Sequence, residues 1–388
     1  MFTIKLFLAI IPIIVIAFIM YKIDVEKEPK KILNQIFISS MIVGLIGGLI
    51  SYFLTQYLDK LQFNSIFVYN VIRYVFVVAL IEEICKFIPA KYIGMKSKYH
   101  TSYYDTLLYF VFAGLGFACI ENIMYVMTFT VKTAFVRGLL SVPGHILFSV
   151  ILGIFIAHAN KEKLKNNNKT NDKTIIYTTL GFTVSSITHA LFNYGLSLKV
   201  GIAKAIIVSL LYLVGIYIIF IIKETSKLNN FYIKNDIFKL VLNPKYIIKN
   251  SNIFGIISSM IIMLGIFNTF SVYTFVEKNI LIKYILILIQ FIFILLIIYN
   301  KKLKEKFKYI DITKIVIFFI TIIIYIFITI DFMNQNNKLD YGYTLTLIGI
   351  IYQIIYFVLS NIKLKNKKVF VSKEIQKNVE EEIDSEII

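Results

Sequence analysis

Apolar runs of about twenty residues recur along most of this 388-residue chain, and that is the length an α-helix needs to cross the hydrocarbon core of a bilayer. The chain is 58% hydrophobic, with a mean hydropathy of +0.77, so it lacks the polar surface that a soluble protein of this length requires. The expected fold class is therefore all-α, a polytopic helical membrane protein. We read eleven spans, at roughly 6–20, 32–54, 66–90, 105–127, 138–159, 174–197, 200–222, 253–272, 280–299, 315–331 and 342–360.

The formal net charge of +18 follows this topology. Successive connections hold 4, 1, 3, 2, 5, 1, 6, 1, 6 and 1 Lys or Arg, and the C-terminal tail holds 6. That alternation predicts an N-terminus outside and a cytoplasmic C-terminus, with the basic loops against anionic membrane lipids. The basicity thus calls for no nucleic-acid partner. Lys5 precedes an apolar run as in a signal peptide, but no small-residue cleavage site follows it, so the first span reads as a retained helix. Cys85 and Cys119 both fall within spans and imply no disulfide framework. Tyrosine must supply the interfacial anchors, because the chain has no tryptophan.

Polar residues are unevenly distributed. The spans between about 66 and 197 contain Arg73, Glu82, Glu83, Lys86, Glu121, His145, His189 and Asn193, whereas those from 253 to 360 have no carboxylate, histidine or arginine well inside them. An intramembrane charge costs roughly 2.5–3.5 kcal/mol even on lenient insertion scales, so a cluster of them points to function. The expected organisation is two N-terminal helices (1–65), a catalytic four-helix core (66–197), a seventh helix with a cytoplasmic amphipathic linker (198–252), a four-helix C-terminal module (253–361) and a charged tail (362–388). His100 and His158 fall in or beside loops and read as solvated.

Spacing sharpens the cluster. Glu82 and Lys86, Phe117 and Glu121, His145 and Ser149, and His189 and Asn193 each stand four residues apart, which puts both members on one helix face. On that spacing Lys86 is the expected charge partner of Glu82, while Arg73 marks the outer edge of its span. At ~1.5 Å rise per residue, Glu82, Glu121, His145 and His189 lie ~9–14 Å from the outer ends of their spans, in one layer of the bilayer. Several known chemistries are absent: there is no HExxH zinc motif, no GxGD after Tyr104-Asp105, and no GxSxG serine motif. What fits is a glutamate acting as general base on water, with histidine and asparagine stabilising an oxyanion. A proton-coupled transporter or channel using the same Glu/His groups is the alternative, and a receptor or assembly factor with an inactive site is the third reading.

Four segments in order, EEICK at 82–86, GFACIENIMY at 116–125, RGLLSVPGHILFS at 137–149 and HALFN at 189–193, resemble the PrsW family of intramembrane proteases. That family is distantly related to the CAAX prenyl endopeptidases and the Abi-type immunity proteins. The CAAX branch favours EExxxR, where this chain has Phe87, and a histidine where it has Glu121; both departures point to the PrsW branch. The resemblance covers about residues 66–197. It implies an intramembrane peptidase that cuts a single-span membrane protein, typically an anti-sigma factor, near its extracytoplasmic side. Position by position, it implies that Glu82 and Glu83 include the catalytic base, that His145 and His189 are catalytic, and that Asn193 holds the oxyanion. Glu121 either joins the chemistry or binds a metal with His145 and His189. A zinc ion and no cofactor at all both stay open, because the sequence has no close ligand spacing.

Overall fold

The computed structural model describes residues 2–24, 26–128, 130–198, 201–225, 251–269, 280–298 and 341–361. Among these residues every regular element is helical and there is no strand, as the apolar runs require. The helices are α1 (Phe2–Ile23), α2 (Lys30–Leu58), α3 (Ile66–Val71), α4 (Ile81–Pro89), α5 (Tyr103–Thr128), α6 (Val131–Leu139), α7 (Ser141–Lys165), α8 (Asp172–Ser197), α9 (Gly201–Thr225), α10 (Asn252–Thr269), α11 (Ile280–Ile298) and α12 (Tyr341–Asn361). Four of the described helices, 30–58, 103–125, 136–165 and 172–197, are long and apolar enough to cross a bilayer. The expected span at 315–331, most of the linker before 252 and the tail after 361 lie outside the described residues.

α5 is the axis of the bundle. Every residue from Ser102 to Cys119 is buried, so this helix is apolar on all sides and enclosed by α1, α2 and α7. Its start is a capping box: Ser102 Oγ accepts from the Asp105 amide at 3.1 Å, and Asp105 Oδ2 accepts from the Ser102 amide at 2.7 Å. α2 shows what surrounds the bundle. Its inward face contains Ser40, Gly44, Gly47 and Ser51, while Ile38, Ile42, Ile46 and Phe53 point outward and are 54–67% exposed. Small residues inside and branched aliphatic residues outside are the pattern of a helix facing lipid. A Cβ on Gly116 would lie 2.2 Å from the Phe37 carbonyl oxygen, so only glycine allows α2 and α5 to approach this closely.

Two local features shape the site. The expected single span 66–90 is a continuous helical rod in which α3 and α4 are joined by a π-helical stretch, Ile72–Leu80, with a second π stretch at Ala90–Gly94. The wider turn rotates the face that α4 presents relative to an uninterrupted α-helix, and it ends two residues before Glu82. The expected span 138–159 divides at Leu140 into the short α6 and the long α7. Pro143 sits in the first turn of α7, where its missing N–H would have had no intrahelical partner.

Candidate active site

The four segments of the middle region meet. Glu82, Glu83 and Lys86 come from α4, Glu121 from α5, His145 from α7 and His189 from α8. Glu83 lies at the sealed end. Its Oε1 accepts from Lys86 Nζ at 2.6 Å and from His189 Nδ1 at 2.9 Å, and both side chains of the ion pair are 0% exposed. The one-turn pair suggested by the spacing, Glu82 with Lys86, is therefore not the one that forms. Positions i+3 and i+4 share a helix face, and Glu83 is the carboxylate that also meets His189. Phe117 and Phe148 lie 4.9 and 5.8 Å from the Lys86 ammonium, and Phe148 stacks on His189 at 4.4 Å.

A second chain of contacts runs on the other side. Glu121 Oε2 lies 2.6 Å from His145 Nε2 and 2.8 Å from Arg137 Nη2. Arg137 Nε donates to Asn122 Oδ1 at 2.8 Å, and Asn122 Nδ2 donates to the Ala9 carbonyl at 3.2 Å, which ties α1, α5 and α6 together. The guanidinium also stacks 3.8 Å from the Tyr125 ring.

The two chains leave matching atoms free. Glu83 and Glu121 are carboxylates, so His189 Nδ1 and His145 Nε2 are the nitrogens that carry protons toward them. The opposite nitrogens, His189 Nε2 and His145 Nδ1, then present lone pairs. They stand 3.5 and 4.0 Å from Glu82 Oε2, and all three atoms lie within 4.8 Å of one another. Glu82 Oε2 and His145 Nδ1 are buried and have no hydrogen-bond partner among the described residues. Three electron-rich atoms facing one point in a dry interior repel unless a proton donor or a cation stands among them. The donor set, two imidazoles and a carboxylate, suits a divalent zinc ion, and each imidazole has the carboxylate on its far nitrogen that such ligands use.

Of the other residues expected at the site, Asn193 is half-buried one turn beyond His189 on α8. Glu121, a candidate metal ligand by sequence, occupies the far nitrogen of His145, and Glu82 takes the place among the three convergent atoms. Arg73 is not at the centre. It engages Tyr69 and lies 3.7 Å from Asp59, near the turn after α2. His100 and His158 are half-buried and packed rather than freely solvated. His100 Nε2 lies 2.7 Å from Thr106 Oγ1, burial lowers its pKa to about 4, and the His158 ring packs between Tyr103 and Tyr177. Arg137 and Asn122 are the participants that spacing does not single out. Both lie inside the quoted segments, but Arg137 falls between two spans and reads there as an ordinary loop charge.

The family model described as PrsW family intramembrane metalloprotease matches residues 28–222, half of the chain. The Protease PrsW of Clostridioides difficile is 30% identical over 202 residues, covering 50% of this chain and 79% of that protein. The Protease PrsW of Oceanobacillus iheyensis is 28% identical over 185 residues, covering 48% and 79%. That of Bacillus subtilis is 35% identical over 92 residues, covering 24% and 39%. No solved structure matches the chain.

Proposed function

The chain belongs to the PrsW family of intramembrane proteases, and from that premise we propose that Glu82, His145 and His189 activate the water that cleaves a peptide bond within the membrane. The protein is a membrane peptidase. The observation that carries the mechanism is the convergence of Glu82 Oε2, His145 Nδ1 and His189 Nε2 on one point, two of them buried without a partner. A water at that point donates to Glu82 Oε2 and to one imidazole lone pair. Glu82 takes a proton as the water oxygen attacks the carbonyl carbon, and Asn193, on the same face as His189, donates to the resulting oxyanion. The proton then passes to the amide nitrogen as the C–N bond breaks, giving a carboxylic acid and an amine. Should a divalent cation be resident, Glu82, His145 and His189 would hold it, and it would supply Lewis acidity and a more acidic water.

Glu83 and Glu121 act through the histidines, each fixing one ring and its tautomer, and Lys86 and Arg137 compensate their charge. The protein is read as multi-pass in the cell membrane, with the site under the outer leaflet and the C-terminus cytoplasmic. The substrate is a single-span membrane protein cut near its extracytoplasmic end. An anti-sigma factor is the proposed client, its cleavage opening a regulated proteolytic sequence. The test is cleavage of a reconstituted single-span substrate by Glu82→Gln, His145→Ala and His189→Ala. All three are expected to be inactive yet folded in detergent, and full activity in Glu82→Gln rejects the assignment. Metal analysis with chelator titration separates a metal-assisted water from a purely glutamate-activated one.

A further inference from the structure

Away from the acid–imidazole centre, a cavity of about 380 Å³ opens where α4 and the π turn after it meet α7 and α8. Along α4 its nearest lining residue, Phe87, lies ~6 Å from Glu83 and Lys91 lies ~12 Å away, and along α8 its nearest, Thr179, lies ~15 Å from His189, so its lysines stand apart from the centre. Two lysines line it, Lys91 and Lys163, both half-buried and neither in an ion pair with a carboxylate among the described residues. The charged groups that act on Lys91 are Lys163 and Lys96, and both repel it. Asn160 adds an amide to the polar wall, and Phe87 and Ile175 form an apolar one, Ile175 being 57% exposed on the outer face of α8. A neighbouring cavity of about 410 Å³ is also lysine-rich, but there Glu162 pairs with Lys165 at 3.5 Å and meets part of the charge internally.

Two like charges held together at the mouth of a half-polar, half-apolar groove need an anion, and at the end of a membrane helix bundle the abundant anion carries acyl chains. We infer that this cavity is a binding site for an anionic phospholipid, whose phosphate sits between Lys91 and Lys163 while its chains descend along Phe87 and Ile175. Each lysine placed on a headgroup is worth roughly fivefold in binding.

The full chain, purified in detergent and stripped of lipid, is titrated with phosphatidylglycerol, phosphatidylcholine or inorganic phosphate, and bound lipid is counted by native mass spectrometry. Phosphatidylglycerol is expected to bind at least tenfold tighter than phosphatidylcholine. Lys91→Gln/Lys163→Gln removes that preference, and Lys91→Arg/Lys163→Arg retains it. The control removes two exposed lysines that do not line the cavity, Lys31→Gln/Lys98→Gln, and changes binding less than twofold. Equal binding of both lipids by the wild-type chain overturns the site without reference to any variant. Equal loss in the two Gln pairs also overturns it, since the basic face would then act as a diffuse field. Phosphate competing at the same concentration as the lipid shows a free-anion site and overturns the lipid.

Discussion

Lys86–Glu83–His189 and Arg137–Glu121–His145 are built from the same three kinds of group, yet water reaches them differently. The first chain is sealed, with side-chain exposures of 0, 0 and 2%. The second lies nearer the surface of the bundle, at 14, 22 and 5%. A sealed ion pair has lost both hydration shells, so removing one member leaves a bare charge at a cost of about 3–5 kcal/mol. A partly hydrated pair loses much less when broken, about 0.2–1 kcal/mol for well-exposed examples. Two chemically similar chains should therefore fail in different ways, the sealed one by unfolding and the open one by misorienting its histidine.

The largest effect belongs to the group that both chains serve. Glu82→Gln should lower cleavage of a reconstituted substrate by roughly 10²–10⁴-fold while leaving the protein folded, because Glu82 Oε2 has no hydrogen-bond partner among the described residues for the amide to lose. Next comes the sealed chain. Lys86→Met should lose about 3–5 kcal/mol of stability and purify poorly. The double variant Lys86→Met/Glu83→Gln should fold again, having no orphaned charge, but stay impaired because His189 has lost its carboxylate. A Lys86→Met protein as stable as wild type would break the comparison at its root. In the open chain, Arg137→Met should lose less stability than Lys86→Met and lower kcat by roughly 10–100-fold at unchanged KM. Arg137→Lys should recover only part of that, since an ammonium cannot engage Glu121 and Asn122 at once as the planar fork does. If Arg137→Met unfolds as readily as Lys86→Met, exposure is not what separates the two chains.

The same contrast explains which parts of the site are legible in the amino-acid sequence. Glu82, Glu83, Glu121, His145 and His189 stand out because a polar group in an apolar run is conspicuous and costly, and because four such helices are consecutive. Arg137 does not, since it stands between spans, where arginine is the expected residue. The helix that carries it, α6, merges into a connection because nine residues leave too short an apolar pattern to notice. The choice of Glu83 over Glu82 for Lys86 is beyond spacing alone, because both carboxylates lie within about one turn of the lysine and His189, 106 residues away, supplies the second contact. The π stretch before Glu82 has no compositional mark either; Ile72–Leu80 reads as ordinary apolar helix. The all-helical class needs only the apolar runs, and α12 at Tyr341–Asn361 closely overlaps the last of them.

Another buried carboxylate sharpens the comparison, because among the described residues it has no ion pair with a cation. Glu28, in the connection between α1 and α2, is 4% exposed, and the charges around it are Asp105, Asp24 and Glu26. Burial first, and then repulsion by Asp105, pushes its pKa up to about 7 from the ordinary 4.5. Between those two values the folded protein holds a proton that the unfolded chain releases, so acidification favours the fold. This contribution is complete below about pH 4.5 and is lost as the pH rises through about 7. Melting of the purified protein in detergent should therefore shift down by a few degrees between pH 6 and pH 8, and Glu28→Gln should flatten that slope. A slope that survives in Glu28→Gln would mean that the pH dependence arises elsewhere. It would also remove the case that makes Lys86 and Arg137 informative, a carboxylate that is buried with a proton because it lacks a cation.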